Sequence, residues 1–314
     1  MLFRLSAIPN VQLFVNAPLA RHTRFEIGGP ARMLADVSTV GALAEALQLA
    51  KSSRTPHAII GGGTNLIVDD EGFPGVVIRY VANNIEIDGE RVRVEAGAML
   101  QALVDKTIDA GLRGLETMTG IPGWVGGAIY GNAGAYGHSI QESIESVRFF
   151  DGSKTRELSS SDLEFRYRSS IFKACKDWIV LDAVLKLNHA DPAELRATAA
   201  GILKIRNEKY PPSMKCAGSI FKNLLLADLP SGVTVPEKVV REGKVPSAYF
   251  LEAAGAKGLA IGGLRVADYH ANLIYNEGGG TARDLWDLIE TLKVGVWKKF
   301  GIRLEEEVQS IKKC

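Results

Sequence analysis

Two glycine-rich stretches hold the residues whose types and spacing most call for a chemical explanation. In "IIGGGTNLIVDD" (59–70), Gly61, Gly62 and Gly63 stand between an apolar approach and an apolar exit. Consecutive backbone N–H groups can form a nest for an anion such as phosphate, and without a Cβ nothing obstructs its approach. A plain tight turn explains the same residues equally well. The dinucleotide fingerprint does not, because its glycines open a helix whose N-terminus holds the pyrophosphate. Here Thr64 and Asn65 close a turn, and Leu66-Ile67-Val68 reads as a strand. The second stretch, "GIPGWVGGAIYGNAGAYG" (120–137), carries seven glycines and three alanines. Ile121, Val125, Ile129 and Tyr136 interrupt it, so it is no flexible linker. It reads as backbone laid against a flat or extended ligand, with a small-residue packing interface as the alternative. Two such surfaces in one chain suit one large phosphorylated cofactor better than either does alone.

The elements around them follow from local pattern. "STVGALAEALQLAKSS" places Ala42, Leu43, Ala46, Leu47 and Leu49 at helical spacing after Ser38 and Thr39. "IEIDGERVRVEAG" alternates about Asp88-Gly89, and "ESVRFFDGSKTREL" turns at Asp151-Gly152, which predicts two hairpins. "MLQALVDKTIDAGL" predicts a helix stopped at Gly111, and "WIVLDAVLKLN" a strand. Asp191, Pro192 and Glu194 start a helix that runs to Pro211-Pro212. "ARDLWDLIETLKVGVWKKF" aligns Leu285, Leu288, Leu292, Val296 and Phe300 on one face, with Thr281 and Asp284 as caps and Lys298 and Lys299 at the end. Hairpins interleaved with helices predict an α+β fold.

Composition bounds the partners. The chain has 314 residues, enough for two domains, with 46% hydrophobic and 23% charged residues. A formal net charge of +1, with no basic run, predicts neither nucleic acid nor membrane as a partner. The mildly apolar N-terminus is broken by Arg4, Pro9, Asn10 and Gln12 and resembles neither a signal peptide nor a span. Cys175, Cys216 and Cys314 make no CxxC pair, so no metal site is expected. Wide spacing and an odd count predict reduced thiols in a cytoplasmic protein, as small apolar fillers or a stray tail residue.

The glycine stretches together resemble those of the UDP-N-acetylenolpyruvoylglucosamine reductase (MurB) family. The likeness continues in order through "TRFEIGGPA" (23–31), "FRYRSSIFK" (165–173), "AGSIFKN" (217–223), "GGLRVADYHANLIYNEGGGTARDLWDLI" (262–289) and "GIRLEEEV" (301–308). Any one of these motifs is weak; their order along nearly the whole chain is specific. The resemblance implies a vanillyl-alcohol-oxidase/PCMH-type FAD-binding domain of two α+β subdomains over 1–195, then a smaller α+β substrate-binding domain over 196–314. It also implies non-covalent FAD, NADPH as co-substrate, a UDP-sugar substrate, and a monomer. The implied reaction reduces the enolpyruvyl ether of the UDP-sugar to UDP-N-acetylmuramate for the bacterial cell wall. Hydride goes to C3 and a proton to C2.

The resemblance assigns roles residue by residue. FAD would lie against Gly61, Gly62, Gly63, Thr64, Asn65 and Leu66 in the first stretch. In the second it would meet Gly120, Pro122, Gly123, Gly126, Gly127, Asn132, Ala133, Gly134, Ala135 and Tyr136. Arg168 matches the catalytic arginine, whose fixed charge suits the negative charge developing next to a carboxylate. Arg166 would face the opposite side if this segment is a strand. Ser219 matches the proton donor to C2, and a serine hydroxyl needs neighbours to make it a competent acid. Glu307 matches the terminal catalytic glutamate, with a role that makes sense if it carries or shares a proton. Its neighbours Glu305 and Glu306 make the assignment depend on spacing to Val308. Tyr167, Arg206, Lys209, Lys222 and Asn223 match substrate-side positions. His270 and Asn272 lie in a family-like segment without an assigned catalytic role.

The chain departs from the family pattern in four places. Leu224 and Glu306 stand where proline is common, Trp124 where a small polar residue is usual, and Tyr130 where methionine or similar is usual. Trp124 lies in the flavin-contacting stretch and is expected to bear on flavin packing. No tyrosine-bearing insertion follows "AGSIFKN", which resembles the subgroup with a more open substrate site.

Overall fold

The computed structural model describes residues 1–312, so the tail thiol Cys314 lies outside the described residues. The chain forms two compact units, and neither is continuous in sequence. The first comprises Met1–Ala17, Ala31–Gly62 and Pro74–Glu208. The second comprises Pro18–Pro30, Gly63–Phe73 and the chain from Lys209 onward. The division therefore falls at the far end of the helix Pro192–Lys209, whereas the boundary expected at 195/196 lies just inside its start. That helix is unbroken: Asp191 accepts from Ala193 N at 2.8 Å at its start, and Leu195 and Ala199 join the first unit's core.

The first unit carries two sheets. One orders its strands Val11–Pro18, Pro30–Val37, Phe73–Tyr80 and His57–Ile59. Its last pair is parallel, with His57 opposite Val76. The other is antiparallel, in the order Thr155–Ser159, Ile144–Phe150, Ile179–Lys186, Arg91–Glu95 and Ile85–Asp88. Both expected hairpins form within it. Asp88 pairs with Arg91, leaving a two-residue loop led by Gly89 at φ +56°, the left-handed geometry that glycine favours. The helices Val40–Ser52 and Leu100–Asp109 bury one face each, through Leu43, Ala46, Leu47 and Ala50, and through Leu103, Val104 and Ile108. Thr39 caps the first by accepting from Ala42 N at 3.3 Å. The central strand Ile179–Lys186 buries most of its residues, as a strand covered on both faces should. Among the described residues no helix is long and apolar enough to cross a membrane.

The second unit has its own core. An antiparallel sheet of Ala260–Ile261, Leu264–Ala267 and His270–Asn276 packs with the helices Ser247–Ala253 and Ala282–Phe300. The long helix buries Leu285, Leu288, Ile289, Leu292 and Val296, each worth about 1.5–3 kcal/mol of apolar transfer. Thr281 and Asp284 form the expected capping box, and Asp70 accepts from Ala282 N at 2.8 Å and Arg283 N at 3.0 Å. Gly301 ends the helix in the left-handed conformation. Leu66–Val68 pairs in parallel with Gln309–Ile311, which binds the exit of the triple-glycine turn to the end of the described chain.

Candidate functional site

The glycines divide into those the fold demands and those it does not. Gly63 has φ +66°, and a Cβ there would lie 1.7 Å from the His22 carbonyl oxygen, so no side chain fits. Gly126 packs on Ala96, which a Cβ would meet at 2.9 Å. Residues Val125–Tyr130 form a short helix that the sequence pattern did not show. Its first N–H groups donate to Ala98 and Ala96 carbonyls at 2.9 Å. Part of the second stretch is thus the small-residue packing interface weighed as the alternative. Gly134 belongs to a tight hairpin, with Ala135 opposite His138 and Tyr136-Gly137 as its loop; a Cβ on Gly134 would meet the His138 carbonyl at 2.4 Å. Both carbonyl and N–H of Ala133 are engaged, with Ile140 N and Ala128 O. Gly61 and Gly127 differ: their φ is not positive, and a Cβ on Gly61 meets only Trp124 at 4.0 Å, while one on Gly127 meets nothing within 4 Å.

Trp124 stands beside the first turn. Its indole is 3.1 Å from where a Gly62 Cβ would be, and the Arg79 guanidinium lies 5.5 Å from its ring centroid. Arg79 is held by a two-point bond to Asp36. Four buried oxygens have no hydrogen-bond partner among the described residues: Thr117 Oγ1, Thr119 Oγ1 and Asn132 Oδ1 in the first unit, and Asn65 Oδ1 in the second. Buried polar atoms cost free energy unless satisfied. Gly61 and Gly127, glycines without an internal reason, and the unsatisfied oxygens of Thr117, Thr119 and Asn132 in the same unit fit a polar ligand of the flavin-nucleotide kind.

Arg168 sits in a turn, not a strand, which replaces the conditional expectation for "FRYRSS". Arg166 and Ser169 exchange both backbone hydrogen bonds at 3.0 Å, and Arg168 takes φ +55°. Such a conformation costs a non-glycine residue about 1–3 kcal/mol and persists where neighbours enforce it. They do so here. Asn132 Nδ2 donates to the Arg166 carbonyl at 2.9 Å, and Lys173 Nζ to the Arg168 carbonyl at 2.8 Å. Arg168 Nη2 donates to Gly134 O at 3.1 Å, and its guanidinium lies 5.4 Å from the Tyr167 ring centroid. The turn thus fixes the arginine against the second glycine stretch. Arg206 also lies in this unit, near Gly120, where a Cβ would approach its Nε at 3.1 Å.

Ser219 and Glu307 are brought together in the second unit. Glu307 N donates to Ile220 O at 2.7 Å, and Lys222 N to Glu305 O at 2.9 Å. On the other side, Ser219 bridges to Leu273. Buried Asn272 grips the segment. Its Oδ1 accepts from Phe221 N at 2.9 Å, and its Nδ2 donates to Phe221 O at 2.9 Å and Ser247 Oγ at 2.7 Å. Asn65 Nδ2 donates to the Glu307 carbonyl at 3.0 Å, so a residue of the glycine turn holds the glutamate's backbone. Leu66, beside it, is buried in its strand. Of the three adjacent glutamates, Glu305 pairs with Lys222 and Glu306 with Lys293 at 3.2 Å. Asn223 follows Lys222 directly. Lys209 lies at the helix end, with Nζ 5.1 Å from the Tyr210 ring centroid.

His270 is structural here. Burial first, then the Lys209 ammonium, push it down to about 4, and its Nδ1 accepts from Asn272 N at 3.2 Å. Burial pushes the Cys216 thiol up. Two contributors had no chemical signal in the sequence: Asn272, whose segment gave only a likeness, and Tyr210, whose phenol oxygen lies 3.4 Å from Ser219 Oγ.

Residues 210–311 match the UDP-N-acetylenolpyruvoylglucosamine reductase C-terminal domain family, and residues 31–156 match an FAD binding domain family. A UDP-N-acetylenolpyruvoylglucosamine reductase from Solibacter usitatus is 55% identical over 310 residues, 98% of this chain and 99% of that protein. The chain belongs to the UDP-N-acetylenolpyruvoylglucosamine reductase family. A reductase of the same name from Bacillus velezensis is 36% identical, over 94% of this chain and 92% of its own. The crystal structure of the reductase (MurB) from Thermus caldophilus superposes with a TM-score of 0.74 at 30% identity, covering 96% of this chain and 98% of that one. Membership in the reductase family and the FAD binding domain match bear out the α+β, FAD-binding fold expected above.

Proposed function

We propose that the chain catalyses the NADPH-dependent reduction of UDP-N-acetylglucosamine enolpyruvate to UDP-N-acetylmuramate, with FAD bound non-covalently. The observation that carries this is 55% identity with a reductase across almost the full length of both chains. Bound FAD would supply the hydride-transfer chemistry between NADPH and C3 of the enolpyruvyl group.

The chain's own residues supply the rest. Gly61, Gly62, Gly127 and the 117–132 segment would hold the cofactor, with backbone N–H groups toward its phosphates. Arg168 would meet the substrate carboxylate and stabilise the negative charge that hydride addition leaves at C2 and the carboxylate. Its fixed turn means that little reorganisation is needed when that charge appears. Ser219 would give the proton to C2. Glu307 would serve beside it with its carboxyl protonated or sharing a proton, since an ionised carboxylate would repel the developing charge. Tyr167, Arg206, Lys209, Lys222 and Asn223 would bind the substrate, the basic ones meeting the diphosphate. Lys222 would exchange its bond to exposed Glu305 for a substrate anion. On this reading the enzyme is a cytoplasmic monomer; light scattering tests the second point.

Purified protein should be yellow, and NADPH oxidation under anaerobic conditions should depend on the enolpyruvyl UDP-sugar. Protein that takes up no FAD, or that oxidises NADPH at the same rate without this substrate, would refute the proposal.

A further inference from the structure

Ser219 has a partner for its hydroxyl that the reaction, as written, leaves unused. The Tyr210 phenol oxygen is 3.4 Å from Ser219 Oγ, and either can donate. That is longer than a strong O–H···O bond, but catalytic hydrogen bonds are often long before substrate tightens them. The two side chains are held by separate anchors. Tyr269 Oη donates to the Lys209 carbonyl at 2.8 Å, pinning the chain just before Tyr210. Asn272 and Leu273 hold the backbone at Ser219. The Lys209 ammonium lies 5.1 Å from the Tyr210 ring centroid.

A serine hydroxyl that gives its proton to C2 is left as an alkoxide unless a proton replaces it. We propose that Tyr210 re-protonates Ser219 in step with its donation to C2; this rests on the reading of Ser219 as the proton donor. The Ser219 O–H bond breaks as the C2–H bond forms. The Tyr210 O–H bond breaks as the Ser219 O–H bond is restored, and Tyr210 then takes a proton from water. No electrons move in the relay. A phenol, with an ordinary pKa of about 10, is a far stronger acid than an aliphatic alcohol, which is why it suits this place. The titratable and charged groups around the pair include Lys209, Tyr269, Cys216, His270, Tyr275 beside Tyr269 and Arg24 beside Cys216. Burial holds Tyr269 and Cys216 protonated to higher pH than usual, and His270 is neutral above about 4.

The test separates the half-reactions in FAD-loaded enzyme by stopped flow. Tyr210→Phe keeps the ring, so reduction by NADPH and thermal stability should match the parent. Reoxidation by the enolpyruvyl substrate should slow about tenfold or more, below the 10²–10⁴ of a direct acid. In D2O the parent's reoxidation should slow as expected for two protons in flight, and Tyr210→Phe should leave the isotope effect of one, which a packing role would not change. Unchanged reoxidation and an unchanged isotope effect in Tyr210→Phe, with Ser219→Ala slowed, would overturn the relay alone. Unchanged reoxidation in Ser219→Ala would overturn the donor reading beneath it.

Discussion

Gly61→Ala should weaken FAD binding without weakening the fold. The Cβ would meet only Trp124, at 4.0 Å, an ordinary contact, and Gly61 has no positive φ. Alanine there also narrows the unfolded ensemble, which stabilises a protein by about 0.4–1 kcal/mol where the native backbone accepts it. If a phosphate approaches this backbone, the methyl displaces it from at least one N–H. A hydrogen bond to a charged group is worth about 1.5–3 kcal/mol, so the Kd for FAD should rise roughly 10- to 100-fold. Gly63→Ala is the contrast. Its Cβ would overlap the His22 carbonyl at 1.7 Å with φ at +66°, so the chain must shift, and the loss should exceed about 3 kcal/mol whether or not FAD is present. The assay is FAD titration of apoprotein by fluorescence, alongside thermal melts of the same apoprotein. If Gly61→Ala binds FAD like the parent, the cradle is not at Gly61. If Gly63→Ala folds with parental stability, the division of the glycines into structural and ligand-facing is wrong.

Other outcomes follow from the same geometry. Arg168→Lys keeps a cation but loses the fork that reaches Gly134 O; flavin reduction by NADPH should persist while substrate-dependent reoxidation falls about 10²–10³-fold, measured by stopped flow. Asn272→Ala strands Phe221 N–H in a buried site and leaves Phe221 C=O and Ser247 Oγ only their long 3.4 Å bond to each other, so the melt should report a loss of about 2 kcal/mol or more, with Asn272→Asp recovering only part. His270 is held near 4 in the fold against about 6.5 unfolded, so the unfolded chain takes up its proton first as pH falls. This contribution to stability is complete above about pH 6.5 and is lost toward pH 4, a decline of about 2–3 kcal/mol. Denaturant titrations across that range should show it, and His270→Asn should flatten it.

Much of the local structure was legible because its causes are local. The Asp88-Gly89 hairpin needs a residue at positive φ, and glycine supplies it. Thr281 and Asp284 reach each other's backbone across one helical turn, and Asp191 caps the helix that Pro192 begins. The candidate site was legible only as a set of motifs. "FRYRSS" has strand-like alternation, yet forms a turn because Asn132 and Lys173 grip the carbonyls of Arg166 and Arg168. The helix at Val125–Tyr130 hid among glycines, whose propensity argues against helix; its packing on Ala96 outweighs that cost.

By itself, then, the sequence determined an α+β chain with two glycine-rich surfaces and motifs in reductase-family order. Spacing along the chain encodes periodicity, caps and turns directly. The tertiary structure decided what spacing cannot express. It set Asn65 on the carbonyl of Glu307, 242 positions away, and gave Glu305 and Glu306 to lysines. It placed Tyr210 beside Ser219 and ran both compact units through separated stretches of chain. Those contacts form only when a packed core brings distant backbone within hydrogen-bond reach. They also separate the glycines that the fold needs, such as Gly63, from Gly61, where the fold would admit a side chain.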